Sequence, residues 1–188
     1  SRDLQDEFAL NSHLRAIKAQ KEGLFDQEIS AFTVRSEILD SNNKPLSKTT
    51  VVSQDEGPRA DIQLSALQNL KTVFQHNGTV TAGNCSQTSD GAAALLLASE
   101  KALYQYDLQP LAVFKSFDVS GIEPEYMGAG PIYAIPKALK KANIRLQDLD
   151  WIELNEAFAA QALAVVKELE LDLNRVNPLG SAIALGHP

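Results

Sequence analysis

Cysteine is almost missing from this chain: Cys85 is the only one in 188 residues. A single thiol excludes an internal disulfide and a cysteine-built metal site, and no other metal-ligating cluster stands out. It fits a reducing compartment, so the expected location is cytoplasmic. Positive charge is also scarce. Seventeen Lys and Arg stand against 24 Asp and Glu, a net charge of −7. The basic residues are scattered (Lys18 and Lys21, Lys137 with Lys140 and Lys141, and Arg59). A nucleic-acid groove needs a clustered basic face, so no nucleic acid is expected. A local cationic spot for a phosphorylated small ligand remains compatible with that balance. No apolar run is long enough to cross a bilayer, and no membrane partner is expected. A signal peptide is missing too, but the chain starts at Ser1 rather than Met, so the natural start is expected upstream. No short-period repeat or low-complexity tract is present. What remains, 44% hydrophobic and 22% charged, is ordinary globular composition.

Residues 1–22 read as a helix, with Leu4, Phe8, Leu10, Leu14 and Ile17 at roughly helical spacing, Ser1 as cap, Asp3 in the first turn and Gly23 as the stop. Residues 28–39 read as a strand and the polar stretch 40–48 as a hairpin or surface loop. Residues 61–74 again carry helical periodicity. The texture changes at Thr79. A small-residue loop, Ala82-Gly83-Asn84-Cys85-Ser86-Gln87, leads to Asp90-Gly91 and a run, AAALLLASEKAL, that reads as a buried helix. A strand over 111–121 follows, then a glycine-rich turn at 128–131 and a helix over 132–143 with Pro136 in its early turns. Next come the strand DWIEL, the helix FAAQALAVVKEL and the strand-to-loop run VNPLGSAIALGHP. This alternation argues for α/β layering, with sites at the carboxyl ends of strands.

Asn155 follows an apolar strand and precedes a helix. It reads either as an amino cap or as an amide that holds a water or polarises a carbonyl oxygen. Glu156 reads as a general base or, better, as a structural hydrogen-bonding group, since nothing near it in sequence tunes its pKa. His187 stands between Gly186 and Pro188. The proline excludes helical backbone and the glycine permits close approach, so this histidine is held in place. His13, in the polar part of a helix, and His76, in a polar turn, read as surface residues. Cys85 lacks a flanking base, and a buried inert thiol is the better reading. Neither glycine-containing run matches a phosphate-binding fingerprint.

Taken together these runs resemble the thiolase family over essentially the whole chain. "SRDLQDEFALNSHLRAIKAQKEGLFDQEI" and "DEGPRADIQLSALQNLKTVFQHNGTVTAGNCSQTSDGAAALLL" are similar to its loop domain and the end of its amino-terminal half. "YMGAGP", "ELNEAFAAQALAV" and "VNPLGSAIALGHP" resemble the turns of its carboxyl-terminal half. The resemblance implies a partial α/β fold of the layered αβαβα type. Residues 1–104 would be the loop domain and the end of the amino-terminal half, and 105–188 the first part of the carboxyl-terminal half. It implies an acyltransferase that cleaves 3-ketoacyl-CoA to acetyl-CoA and a shortened acyl-CoA in fatty-acid β-oxidation. The wording Cys-Ser-Gln-Thr-Ser-Asp is more similar to that class than to acetoacetyl-CoA thiolases. A lipid-carrier relative without catalysis is the non-enzyme alternative.

The resemblance assigns the oxyanion-binding pair to His187 and Asn155. Coenzyme A would be a co-substrate, with no permanently bound cofactor. Arg59 would lie near its adenine end, Ala82 and Ser86 along the pantetheine, Phe74 and Phe158 in the groove and Met127 near the acyl pocket. Two cysteines that the family uses would lie outside Ser1 and Pro188, so the 188 residues alone are expected to show no turnover. The full-length parent would be a homo-oligomer, dimer or tetramer. Ser181 stands where the family usually has a second glycine, with strain expected in the turn, and Ala66 where some members place a serine. The apolar run is expected to show exposed leucines, and His187 to sit at a loose, solvent-facing end.

Overall fold

The helix α1 (Arg2–Lys21) is the longest helix of the structure, a computed structural model that describes residues 1–188. Ser1 caps it through the Leu4 amide, and Gly23, at φ +69°, turns the chain away. Its buried face is not the leucine-bearing one. The covered residues are Gln5, Asp6, Ala9, Ser12, His13, Ala16 and Ala19, while Leu4 and Leu14 are exposed. Small residues at helical spacing let neighbouring backbone approach closely. The polar ones satisfy what that backbone and its buried side chains present. Asp6 binds the Arg2 guanidinium at 2.7 Å and accepts from Asn84 Nδ2 at 2.9 Å. Arg15 donates to the carbonyls of Val176 and Asn177.

α1 packs against α2 (Leu64–Gln68), α5 (Ala159–Glu168) and the short α6 (Ala182–Leu185). One apolar cluster joins Ala9, Leu67, Ala159 and Ile183. A second joins Leu154, Ala162, Val165, Val166, Leu171 and Val176, covered in part by Ile132 and Ile135 of α4 (Gly130–Ala142). α4 starts earlier than its periodicity suggests, with Pro131 in its first turn. Pro136 therefore lies in the helix interior. The glycine-rich stretch at 128–131 is not a free turn but the passage from a 3₁₀ helix (Pro124–Ala129) into α4.

Of the two readings of the polar stretch at 40–48, hairpin or surface loop, the hairpin is the one present. β1 (Phe32–Leu39) pairs antiparallel with β2 (Pro45–Val52), Phe32 opposite Val52 and Leu39 opposite Pro45. Asp40 closes it by accepting from the amides of Asn42 and Lys44, and Asn43 takes the left-handed conformation, φ +59°. Both faces of the hairpin are exposed.

Elsewhere the expected strands and helices are shorter than their patterns. The helix expected over 61–74 is confined to α2. The strand DWIEL makes one parallel bridge, Ile152 with Val176, through amides at 2.9 and 2.8 Å. The buried helix expected over 92–103 is a correction. Only α3 (Glu100–Tyr106) is helical, and residues 88–98 make no backbone–backbone hydrogen bond. An apolar run without period suits a strand buried on both faces as well as a helix. Here nothing covers it, and Leu95 is 93% exposed. The leucines are exposed as expected, but not on a helix. The run at 111–121 likewise has no ladder. It lies along α4 through side chains, with Ser116 Oγ donating to the Ala138 carbonyl at 2.7 Å and Lys141 pairing with Asp118 at 2.8 Å. A strand needs a neighbour on its edge, and this chain supplies none there.

Candidate functional site

Four segments converge around α6: residues 57–59, 84–91, 154–158 and 177–188. The loop at 84–86 is stitched to the start of α5. The Ser86 amide donates to the Ala157 carbonyl and the Ala159 amide to the Asn84 carbonyl, both at 2.9 Å, and Cys85 bridges Phe158. Ser86 Oγ donates to the Ala182 carbonyl at 3.2 Å, and Gln87 Nε2 to those of Gly57, Ile183 and Ala184. A Cβ on Gly57 would meet the Ala184 carbonyl oxygen at 2.4 Å, so that glycine is required by backbone contact.

Asn155 is not a helix cap. α5 begins with Phe158 in the cap position, without a side-chain bond, and the Asn155 amide makes no hydrogen bond within the chain. It is exposed, on a cleft of about 450 Å³ that it shares with Trp151, Gly180, Ser181, Leu185 and Gly186. His187 follows Gly186 directly and is exposed. It is solvent-facing as expected, and the residues on either side of it make close contacts. Gly186, at φ +96°, abuts Ser89 so closely that a Cβ would lie 2.1 Å from its Oγ, and Pro188 lies against Gly91. Ser181 has φ −153°, a conformation open to serine, so the expected strain is absent. The tight position is Gly180, at φ +79° against the Ser12 carbonyl.

Glu156 is 1% exposed and entirely bonded. Oε2 accepts from Ser12 Oγ at 2.6 Å and the Ile183 amide at 3.2 Å, and Oε1 accepts from Asn177 Nδ2 at 2.8 Å. Burial pushes its carboxyl above the usual range, and the bonds from Ser12 and Asn177 pull the other way. The structural reading of Glu156 therefore stands.

The ligand-groove candidates fall into three groups. Phe74 meets Phe158 edge to face, 5.9 Å between centroids, beside the loop carrying Ala82 and Ser86. Ala82 is exposed and Ser86 half-buried. Met127 is exposed on the 3₁₀ helix, whose Gly128 lies against Gln161 of α5. Arg59 is exposed, and its amide donates to Nδ1 of His13 at 3.1 Å. Neither Arg59 nor Met127 lines the cleft at Asn155. Ala66 is exposed beside buried Leu67. Burial pushes the Cys85 thiol up, in keeping with an inert cysteine.

The sequence alone misses Ser12, His13 and Asn177. His13 is not on a polar face: it is 4% exposed, and burial together with Arg59 lowers its pKa to about 4. The available signal was the spacing of Ala9, Ser12, Ala16 and Ala19, a small-residue stripe against which backbone can pack. No group of acidic, histidine or cysteine side chains is arranged to hold a metal, and no helix is long and apolar enough to cross a membrane.

Residues 1–101 match the family model for the thiolase N-terminal domain, and 108–188 that for the thiolase C-terminal domain. Over all of this chain, the 3-ketoacyl-CoA thiolase of Bacillus subtilis (strain 168) is 50% identical, and the peroxisomal 3-ketoacyl-CoA thiolase B of Rattus norvegicus is 49% identical. The matches cover 48% and 43% of those proteins, so the chain spans about half their length. Three solved structures superpose on the whole chain. Bacillus anthracis acetyl-CoA acetyltransferase does so with a TM-score of 0.89 at 47% identity, over 45% of its length. Human mitochondrial 3-ketoacyl-CoA thiolase in complex with CoA gives 0.88 at 42% identity, over 44%. The dimeric peroxisomal thiolase of Saccharomyces cerevisiae gives 0.87 at 46%, over 45%. Likeness at this identity carries the partial α/β fold expected from the sequence, and by family models and relatives alike the chain belongs to the thiolase family.

Proposed function

We propose that this chain carries the oxyanion-stabilising part of a thiolase that cleaves 3-ketoacyl-CoA to acetyl-CoA and a shortened acyl-CoA. The observation behind it is the unbonded Asn155 amide, exposed on a cleft whose rim leads through Gly186 to His187. Breaking the bond between the α-carbon and the 3-keto carbon leaves an enolate whose charge sits on the thioester oxygen. Fixed neutral donors in a site closed to water stabilise such charge most. In this reading His187 donates to that oxygen and serves as base toward a thiol, while Asn155 holds a water donating to the same atom. The reaction's thiol nucleophile is not Cys85, which bridges Phe158 and whose pKa burial raises.

Coenzyme A is the co-substrate in this reading, as expected for a relative of a thiolase solved with CoA. Phe74, Phe158, Ala82 and Ser86 would line its groove, Arg59 would face its charged adenine end, and Met127 the acyl chain. We place the division between the family's two halves at 104/105. A homodimer or tetramer is proposed for the whole protein, one solved relative being dimeric. A reducing, cytoplasmic setting fits the unpaired Cys85.

The second reading is an acetyl-CoA C-acetyltransferase, favoured by the likeness to the Bacillus anthracis enzyme. The test compares thiolysis of a medium-chain 3-ketoacyl-CoA with that of acetoacetyl-CoA by the full natural chain that carries these residues. A higher kcat/KM for the longer substrate supports the first reading, and a preference for acetoacetyl-CoA supports the second. Turnover of neither would remove both.

A further inference from the structure

The residues either side of Asn155 are locked while Asn155 itself is free. Asn177 grips Leu154 from both sides: its Oδ1 accepts from the Leu154 amide at 2.7 Å and its Nδ2 donates to the Leu154 carbonyl at 2.8 Å. The same Nδ2 donates to Glu156 Oε1. Glu156 Oε2 then reaches across to the Ile183 amide in α6, the helix that leads to Gly186 and His187. Ser12 of α1 closes the ring, donating to Oε2 and accepting from the Ser181 amide at 3.2 Å. We infer that Glu156 is a positioning residue whose buried carboxylate sets the distance between the Asn155 amide and the His187 imidazole by tying the turn of one to the helix of the other. The inference rests on the functional reading of those two residues.

Only an acceptor at both oxygens satisfies this ring. Asn177 cannot flip its amide, because its Oδ1 is held by the Leu154 N–H. A glutamine at 156 must therefore point its NH₂ at Asn177 Nδ2 or at the Ile183 N–H, and one tie opens. The change falls between the two catalytic candidates, and the Glu156 side chain makes no hydrogen bond to Phe74, Phe158 or the 82–86 loop.

The experiment measures steady-state thiolysis by the full natural chain as wild type, Glu156→Gln, His187→Ala and the double variant, each corrected for folded fraction by circular dichroism. Expected is a fall in kcat of roughly tenfold or more for Glu156→Gln, since misplacing catalytic groups by an ångström is costly, with the KM for CoA within about twofold. In the His187→Ala background the same change should cost little more, because the two act through one geometry. A Glu156→Gln kcat within about twofold of wild type, or full additivity with His187→Ala, overturns the inference. If Glu156→Gln does not fold, Ser12→Ala carries the test: a lower kcat at unchanged KM supports the tie, and an unchanged kcat overturns it. Should His187→Ala itself leave kcat intact, the functional reading fails and takes this inference with it.

Discussion

Replacing Gly180 with alanine should cost the chain a large part of its stability. Gly180 sits at φ +79°, and a Cβ there would lie 2.4 Å from the Ser12 carbonyl oxygen and 2.9 Å from both Cβ and N of Ala16. Two of those three neighbours are backbone atoms of α1, which no rotamer change can move. The left-handed conformation costs an L-residue about 1–2 kcal/mol. Forcing a methyl into packed surroundings adds about 1–3 kcal/mol. The expected loss is therefore about 2–5 kcal/mol, reached by pushing α1 away from the 177–183 turn and pulling Ser12 from Glu156. Urea unfolding of the two proteins, followed by far-ultraviolet circular dichroism, reads it directly as a lower midpoint at similar slope. Gly121→Ala is the control, since nothing lies within 4 Å of that Cβ and its φ is not positive. A Gly180→Ala loss below about 1 kcal/mol, or one no larger than that of Gly121→Ala, would refute the close-packing argument.

Three further outcomes follow from the same structure. His13 has a folded pKa of about 4 against 6.5 unfolded, so between those values the unfolded chain binds the extra proton. The His13 contribution to stability should fall by up to about 3 kcal/mol as pH drops from 6.5 to 4, and this part of the pH dependence should be missing in His13→Gln; unfolding midpoints across that range check it. Cys85, its thiol raised by burial, should react slowly with a maleimide until the protein is unfolded, and labelling as fast as free cysteine would contradict its inert role. The runs at 92–98 and 111–119 expose Leu95, Leu96, Leu97, Leu111 and Phe114 with backbone free of ladder bonds. Solution scattering of the 188-residue chain should therefore show association, and a monodisperse monomer would count against it.

The helices and the hairpin were readable from sequence wherever local signals suffice: Ser1 capping α1, Gly23 ending it, Asp40 to Asn43 turning the hairpin. The face of α1 was not readable. Hydrophobic spacing pointed to Leu4 and Leu14, yet the buried stripe is made of small and polar residues, because what packs on it is backbone and a polar network. The strands failed for a different reason. The run at 111–121 has the pattern of a strand, but a ladder is a property of two segments and it meets no partner edge, while 92–98, read as part of a buried helix, has nothing packed over it. At the site, the Asn-Glu-Ala-Phe run pointed to Asn155, which lines the cleft, and the Gly-His-Pro run to His187, which follows the cleft residue Gly186, though neither pointed to the loss of the cap role for Asn155. The network around Glu156 joins residues 144 and 27 positions away, Ser12 and Ile183, a separation that no local pattern encodes.

Whether His187 acts on charge developing during reaction, rather than on substrate binding, is decided by His187→Ala in the full natural chain. Steady-state thiolysis gives kcat, and calorimetry on the same preparation gives CoA affinity. The expected result is a loss of roughly hundredfold or more in kcat with CoA affinity nearly unchanged. An unchanged kcat with a raised KM would show instead that the imidazole only binds substrate, and that the charge-stabilising role given to it is wrong.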